Sequence, residues 1–397
     1  MQQSEDQHGV QKDHAIVDQD QPRRRVYFLS GFDPRGASYY YRLFSEQVRQ
    51  LKRRSGRRLQ VDHRRSQRRS QQVDRLLSRW QVREDGALGL DFCFLHWDDI
   101  ARAHWPRNPL VLLRDGIGIY AWYLLGGGYW TMRRWSQRVA LCGLYPTLFV
   151  GMVVVVLALG CALLAVLAAV WQLPALVLHG LQLTLVLLGC WQAWRLAEAL
   201  GVVWLFRSIR FTHRLGQARD GDLRGRVAEL AERILSLEQQ DPADQVWLAG
   251  HSSGSFVMAM LAAELRRQGA DQLLAGRLRL LSLGQNLANL AVHGKARGFH
   301  ADLALLAQEP RLPWLDITSR DDYLCFAAVD PYQSCGVPRP GAGAYPELRL
   351  IPLAQRQGLT SLGALLSHQF DLHFEYLRTA APERSGGFDL IEELLAP

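Results

Sequence analysis

Across 56 consecutive residues, Val139 to Trp194, the sequence contains no Asp, Glu, Lys or Arg. Its six cysteines, at 93, 142, 161, 190, 325 and 335, form no C-x-x-C pair and no metal-ligand spacing, so they outline neither a zinc module nor a disulfide framework. Three of the six fall inside the uncharged block, where Cys behaves as a small hydrophobe. The set reads as reduced thiols facing a cytosol. There is no H-E-x-x-H helix, no G-x-G-x-x-G turn and no Walker loop, so no metal and no cofactor is predicted. The N-terminus lacks the apolar core of a signal peptide. Met1–Gln21 is rich in Gln and Asp, and residues 1–25 read as a disordered tail.

Net charge is +8, but the excess is local. Lys52 to Arg69 ("KRRSGRRLQVDHRRSQRR") is dense in Lys and Arg and holds a single Asp. A nucleic-acid partner would need aromatic residues interleaved with such charges, or a reader motif, and neither accompanies them. The run reads as a solvated basic face or as a surface drawn to anionic lipid, and no nucleic acid is expected.

The uncharged block is too long for one crossing of a bilayer. The hydrocarbon core is about 30 Å thick and takes about 20 helical residues, whereas the whole block in one helix would run roughly 84 Å at 1.5 Å per residue. Two crossings with a tight turn fit. Pro174, in "AVWQLPAL", suits a helix start, and Trp171 and Gln172 suit an interface. The first span is placed at about 141–170. The second starts at Ala175 and reaches Trp194, or slides on to Phe206 (about 175–206), with Arg195 and Glu198 spaced to pair. Arg133, Arg134 and Arg138 precede the block, and Arg195, Arg207, Arg210 and Arg214 follow it. The positive-inside rule then predicts a multi-pass membrane protein with both ends in the cytoplasm and the turn outside. Gly116–Met132, uncharged but Gly-rich, reads as interfacial or packed against the membrane.

Outside this block, strand-like and helix-like patterns alternate. "RRVYFLSGF", "LGLDFCFLHWDD", "DQVWLAG", "LRLLSLGQ" and "LPWLDITSRDD" read as strands; Tyr39–Leu51, Leu223–Gln240 and "GSFVMAMLAAELRRQ" read as helices. Alternation of this kind predicts an α/β fold with a parallel sheet covered on both faces. The membrane hairpin falls between strands of that sheet. The chain therefore divides into a first sheet part (26–115), a membrane insertion (116–210) and a second sheet part (211–397).

Gly250-His251-Ser252-Ser253-Gly254 joins a strand pattern to a helix pattern and matches G-x-S-x-G. A nucleophilic serine needs a sharp strand-to-helix turn so that its hydroxyl projects above the sheet, and the flanking glycines make room for that turn. Ser252 is the candidate nucleophile. The backbone N–H of Ser253, at the positive end of the following helix, would point at an oxyanion.

With these residues the chain resembles the α/β-hydrolase superfamily over most of its length outside the membrane block. Its N-terminal "FLSGFDPRGASYYYRLF" is similar to a group of bacterial membrane-associated hydrolases. The resemblance implies an α/β-hydrolase fold interrupted by a transmembrane helical hairpin. It implies a second oxyanion donor in the loop Ser30-Gly31-Phe32-Asp33, assigned to Phe32, with Asp33-Pro34-Arg35-Gly36 shaping the pocket wall. It also implies the chain order Ser, acid, His. The acid is assigned to Asp322 of "SRDDYLCF", with Asp321 and Asp330 as runners-up and Asp316 as a structural strand residue. "SHQFDLHFEYL" offers two histidines; His373 is assigned as the base and His368 is the alternative. His251 is expected beside Ser252 without being the base. Histidine suits the role because it takes and returns a proton near neutral pH.

The function expected is a membrane-anchored serine hydrolase acting on an ester or thioester, with lipid-like substrates and the bilayer as partners. The alternative is a non-enzymatic membrane scaffold on the same fold, since fold alone does not imply function. Oligomeric state is left open.

Overall fold

The computed structural model describes residues 22–62, 74–338, 346–380 and 388–396. Most of the N-terminal tail and the stretch Arg64–Arg69 of the basic run lie outside them.

The chain's first strand, β1 (Arg24–Leu29), is buried along its whole length. Arg24 and Arg25 thus belong to the sheet and not to a disordered tail reaching residue 25. The fully buried Arg25 guanidinium is tolerated because carboxylates surround it: Asp91 at 2.7 Å, Glu238 at 2.8 Å and Asp241 at 2.8 Å. Further along the basic run, Arg54 pairs with Asp389 and Glu392, and Arg57 with Glu84. Part of that run is therefore neutralised inside the molecule.

Seven more strands follow: β2 (Leu59–Val61), β3 (Leu77–Glu84), β4 (Ala87–Leu95), β5 (Gln245–His251), β6 (Leu278–Leu283), β7 (Trp314–Thr318) and β8 (Glu347–Leu350). Their order in one sheet is β2-β3-β4-β1-β5-β6-β7-β8. From β4 to β8 all pairings are parallel. The edge is different: β3 runs antiparallel to both β2 and β4. The sheet is mixed, not parallel throughout, because β3 and β4 form a tight hairpin over Asp85 and Gly86, both at positive φ.

Helices cover both faces. One face buries Val26, Phe28 and Trp247 against helix α1 (Ala37–Ser55), which carries Tyr40, Phe44, Val48 and Leu51 inward. The other face buries Leu248 and Tyr27 under helices that pass through Val227, Leu261 and Leu303.

Between β4 and β5 the chain leaves the sheet and forms α2 (Pro109–Leu124), α3 (Gly128–Trp135), α4 (Gln137–Val170), α5 (Ala175–Ala199) and α6 (Val202–Gly216). This helical insertion starts at residue 109, earlier than the expected 116, because Asn108 caps α2 by accepting from the Leu110 N–H at 2.9 Å and Pro109 occupies the first helical position. It ends with α6 at Gly216, past the expected 210. Two of its helices, α4 and α5, are long and apolar enough to cross a membrane. Most of their large apolar side chains are exposed, Val154, Leu159, Leu163, Leu183 and Leu187 among them.

The second apolar helix stops at Ala199 and does not run on to Phe206. Gly201 takes a left-handed conformation, φ +70°, and a side chain there would strike the Phe370 ring. The chain restarts as α6, whose Val202, Val203, Leu205 and Phe206 are buried in protein. Arg195 lays its guanidinium over the Trp191 ring, 5.0 Å from the centroid, one turn back along α5. After the insertion come α7 (Gly221–Gln240) and, beyond β5, α8 (Gly254–Arg267).

Candidate active site

The turn between β5 and α8 is strained where the motif predicts it. Ser252 has φ +55°, a left-handed conformation that a serine adopts only when its surroundings impose it. Three contacts impose it: the Ser252 N–H donates to Leu283 O at 2.9 Å, and the Ser252 carbonyl accepts from the Ser255 N–H at 3.0 Å and from Ser255 Oγ at 2.6 Å. The two glycines are required by space. A Cβ on Gly250 would lie 2.5 Å from Gly254 O, and one on Gly254 would lie 2.5 Å from Ser30 O. The sequence G-x-S-x-G thus folds this way because only hydrogen fits at both positions.

The Ser252 hydroxyl oxygen accepts a hydrogen bond from Asn286 Nδ2 at 3.2 Å. Asn286 lies just past the end of β6, on the neighbouring strand. Gly31, in the loop after β1, comes so near that a Cβ there would sit 3.0 Å from Ser252 Cβ. The next residue, Phe32, stacks its ring on Phe211 with centroids 4.5 Å apart. Among the described residues, neither the Phe32 N–H nor the Ser253 N–H donates to a protein acceptor.

Asp322, in the loop after β7, and His373, in the short helix Gln369–Phe374, meet at 2.7 Å between Oδ2 and Nδ1. Both are buried. The carboxylate also accepts from the Leu324 N–H at 2.9 Å and from Tyr376 Oη at 3.2 Å. Burial pushes the Tyr376 phenol well above its ordinary value, so it stays a donor. With Nδ1–H committed to Asp322, the lone pair of His373 is on Nε2. That atom is buried and has no hydrogen-bond partner among the described residues. His373 lines the same cavity as Ser252, and its Nε2 makes no hydrogen bond to the Ser252 hydroxyl, which accepts from Asn286.

His251 supports this arrangement from below. Its Nε2–H donates to the His373 carbonyl at 2.7 Å, and burial next to the His373 ring lowers its value to about 3. It is a neutral brace that holds the backbone of His373.

The other candidates lie apart. His368 is exposed and donates through Nδ1 to Ala364 O, one turn back on its own helix. Asp321 accepts from the Ala354 N–H at 3.0 Å and so ties its loop to the short helix Leu353–Gln357. Asp330 caps a short helix by accepting from the Tyr332 N–H. Asp316 sits inside β7, takes a hydrogen bond from Ser282 Oγ, and is pushed up by burial to about 8. Residues Asp33 to Gly36 do not form the cavity wall. The Asp33 carboxylate is held by Tyr40 and Arg35 instead. The wall comes from the insertion, through residues such as Tyr123, Met132, Cys142 and Ile209.

Sequence reasoning missed Asn286, Tyr376 and this wall. Asn286 had a signal, since ligands of α/β sheets gather at the carboxyl ends of adjacent strands. Tyr376 follows His373 by three residues, the spacing of one helical face. Among the described residues no group of three His, Cys, Asp or Glu is placed to hold a metal ion.

Comparisons with protein-family models, with curated proteins and with solved structures find no match to this chain.

Proposed function

We propose that the protein is a membrane-anchored serine hydrolase of the α/β-hydrolase fold that cleaves an ester or thioester through an acyl-enzyme. One observation carries the reading. A serine held at φ +55° between obligatory glycines shares a cavity with a histidine whose far nitrogen is bound to a buried carboxylate. The chain order Ser, Asp, His, with the three residues following β5, β7 and β8, supports the same fold.

In this reading Ser252 Oγ attacks the substrate carbonyl as its proton passes to His373 Nε2. Rotation about χ1 of Ser252 exchanges the Asn286 contact for the imidazole; hydrogen bonds of this kind are commonly long before substrate binds. Asp322 holds the tautomer and stabilises the imidazolium. The free N–H groups of Ser253 and Phe32 receive the oxyanion. The leaving group takes the proton from His373, and a water activated by the same imidazole releases the acid.

The two long apolar helices and the flanking arginines support a multi-pass anchor in a bacterial inner membrane with the sheet on the cytoplasmic side. A reporter fused near Leu173 is expected to face the periplasm, and a cytoplasmic signal there would remove the two crossings. For the chemistry, a fluorophosphonate probe is expected to modify Ser252 in the full-length chain. A protein inert to the probe and to acyl esters would instead favour a scaffold built on this fold.

A further inference from the structure

The cavity over Ser252 has a distinctive lining. None of the residues around it is Asp, Glu, Lys or Arg. It is small, about 60 Å³, so it takes the ester group and the first carbons of a chain and leaves the rest of the chain outside, along the hairpin. Its far wall is built from the sheet-side ends of the apolar hairpin. Cys142 and Gly143 stand near the start of α4, and Trp204 and Ile209 stand in α6, just past the Gly201 break that ends α5.

Asn289, Ser208, Thr212, His213 and His293 also line the cavity, whereas the surface around this region is apolar. Ile117, Leu124 and Leu125 on α2 and its end, and Trp130 on α3, are exposed. So are Leu362 and Leu366 on the short helix Leu362–Ser367. One turn beyond, Phe370 packs edge-on against Trp204 with centroids 4.9 Å apart. The segment that carries His373 is thereby clasped to the same end of the hairpin.

From this geometry we infer that the substrate is a long-chain acyl ester resident in the bilayer, whose chain passes from the near leaflet into the cavity between α4 and α6 while its carbonyl reaches Ser252. The inference rests on the hydrolase reading above. A chain drawn from water would gain about 25 cal/mol per Å² of apolar area buried, but a chain resident in the bilayer has already made that gain, so what the apolar wall residues Ile119, Val139, Leu205 and Ile209 provide is a path to Ser252 without loss. A chain already in the bilayer loses no hydrophobic contact when it moves to such a wall, so its transfer needs no exposure to water. The reaction balances as ester plus water to fatty acid plus alcohol. The Ser252 Oγ–acyl bond forms as the ester C–O bond breaks, the alcohol leaves with the proton held by His373, and water then cleaves the acyl-enzyme.

Cys142, half-buried in the wall, provides the test. The full-length chain in phosphatidylethanolamine–phosphatidylglycerol nanodiscs is treated with either of two fluorophosphonates, one with an ethyl group and one with a hexadecyl chain. Reaction of Cys142 with methyl methanethiosulfonate is then followed by peptide mass. The hexadecyl adduct at Ser252 is expected to slow Cys142 modification at least tenfold, and the ethyl adduct to leave its rate near that of untreated protein. Equal Cys142 rates in the two adducts overturn the inference and leave the hydrolase reading standing. Failure of both probes to modify Ser252 removes the hydrolase reading and the inference together. As a second measurement, Ile209→Trp is expected to lower the hexadecyl-to-ethyl ratio of Ser252 labelling rates at least tenfold, and an unchanged ratio counts against the chain's path. The Cys142 measurement uses the wild-type chain, so it decides the matter even where the variant does not fold.

Discussion

Helices α4 and α8 are both rich in apolar residues, yet they meet opposite surroundings. In α8 the side chains from Phe256 to Ala263 are all buried against the sheet and its covering helices. In α4 only Ala140, Pro146, Phe149 and Ala168 are buried, and Val154 to Val156 point outward. The difference teaches that apolar composition says a helix must leave water, and not where it goes. α8 leaves water by packing into protein. The outward face of α4 packs on none of the described residues, and in the proposed anchor lipid would cover it. The same division separates roles in the proposed site. The sheet region carries Ser252, Asp322 and His373, and the insertion carries much of the cavity wall.

The division can be broken most decisively at the reacting groups. Ser252→Ala and His373→Ala are each expected to lower ester turnover by about 10⁶-fold, the scale of removing one member of a coupled catalytic set, while every substitution in the insertion wall leaves measurable turnover of some ester. Rates on esters of graded chain length check this. If a wall variant proves as inactive on all esters as Ser252→Ala, the division of roles fails.

Within the sheet region, Asp322→Asn is expected to cost about 10⁴-fold in turnover with the fold retained, since the imidazole loses its orienting carboxylate. Asp321→Asn, at a side chain that accepts from the Ala354 N–H and Ser319 Oγ and whose amide oxygen can still accept, is expected to stay within a few-fold of wild type. Circular dichroism with steady-state rates distinguishes the two. The reverse ranking would move the acid to Asp321.

The two helices themselves are sharpened by one charge placed in each. Ala259→Arg in α8 buries a guanidinium with no partner and is expected to abolish folding, read as loss of soluble-domain protease resistance. Val154→Arg in α4, an exposed position, is expected to cost about 2.5–3.5 kcal/mol of membrane insertion. It would leave the sheet domain protease-resistant. If Val154→Arg instead has no effect on membrane fractionation, α4 is not in lipid.

A smaller effect follows acidity. His251 and His293 both have values lowered to about 3 by burial. The unfolded chain takes up a proton at each below about 6.5, and the folded chain does not. Stability that is complete above 6.5 is therefore lost as pH falls toward 3, at up to about 1.4 kcal/mol per pH unit for each histidine. His213 is lowered by burial in the same direction, so His251→Gln is expected to remove one histidine's share of that slope, as read from unfolding midpoints between pH 6.5 and 4. A slope unchanged by the substitution would mean that His251 is charged in the folded state. The smallest effect belongs to His368→Ala, which removes an exposed side chain bonded to its own helix. Turnover is expected to stay within about two-fold, and a large loss would reopen its role as base.

Several elements were legible before folding because their signals are local. The strand, elbow and helix around Ser252 are contiguous, and the glycines that permit the turn lie within five residues. The apolar block and its Pro174 turn are likewise one continuous run. The preference for His373 over His368 agrees with the contacts, since His373 reaches Asp322 and His368 does not. The edge strands β2, β3 and β8 were missed. β2 is only three residues long, and β3 and β8 carry charges, as in "LSRWQVRE" and "ELRL", so each pattern is weak without the neighbour that pairs it. The helix break at Gly201 was missed because "LAEALGVVWLF" stays apolar across it. Only the Phe370 ring, packed against that glycine from far along the chain, reveals the close approach that needs it.

By itself, then, the sequence determined which segments leave water, where the chain must turn sharply and which residue types can move a proton. These properties depend on side chains a few positions apart. Tertiary structure decided which carboxylate meets His373, that Asn286 rather than the imidazole holds the resting Ser252 hydroxyl, and that the insertion rather than the Asp33 loop closes the cavity. Asp321 and Asp322 are adjacent in sequence and chemically identical; only the direction each side chain takes from the loop after β7, set by partners at Ala354 and His373, makes one a tether and the other the partner of an imidazole.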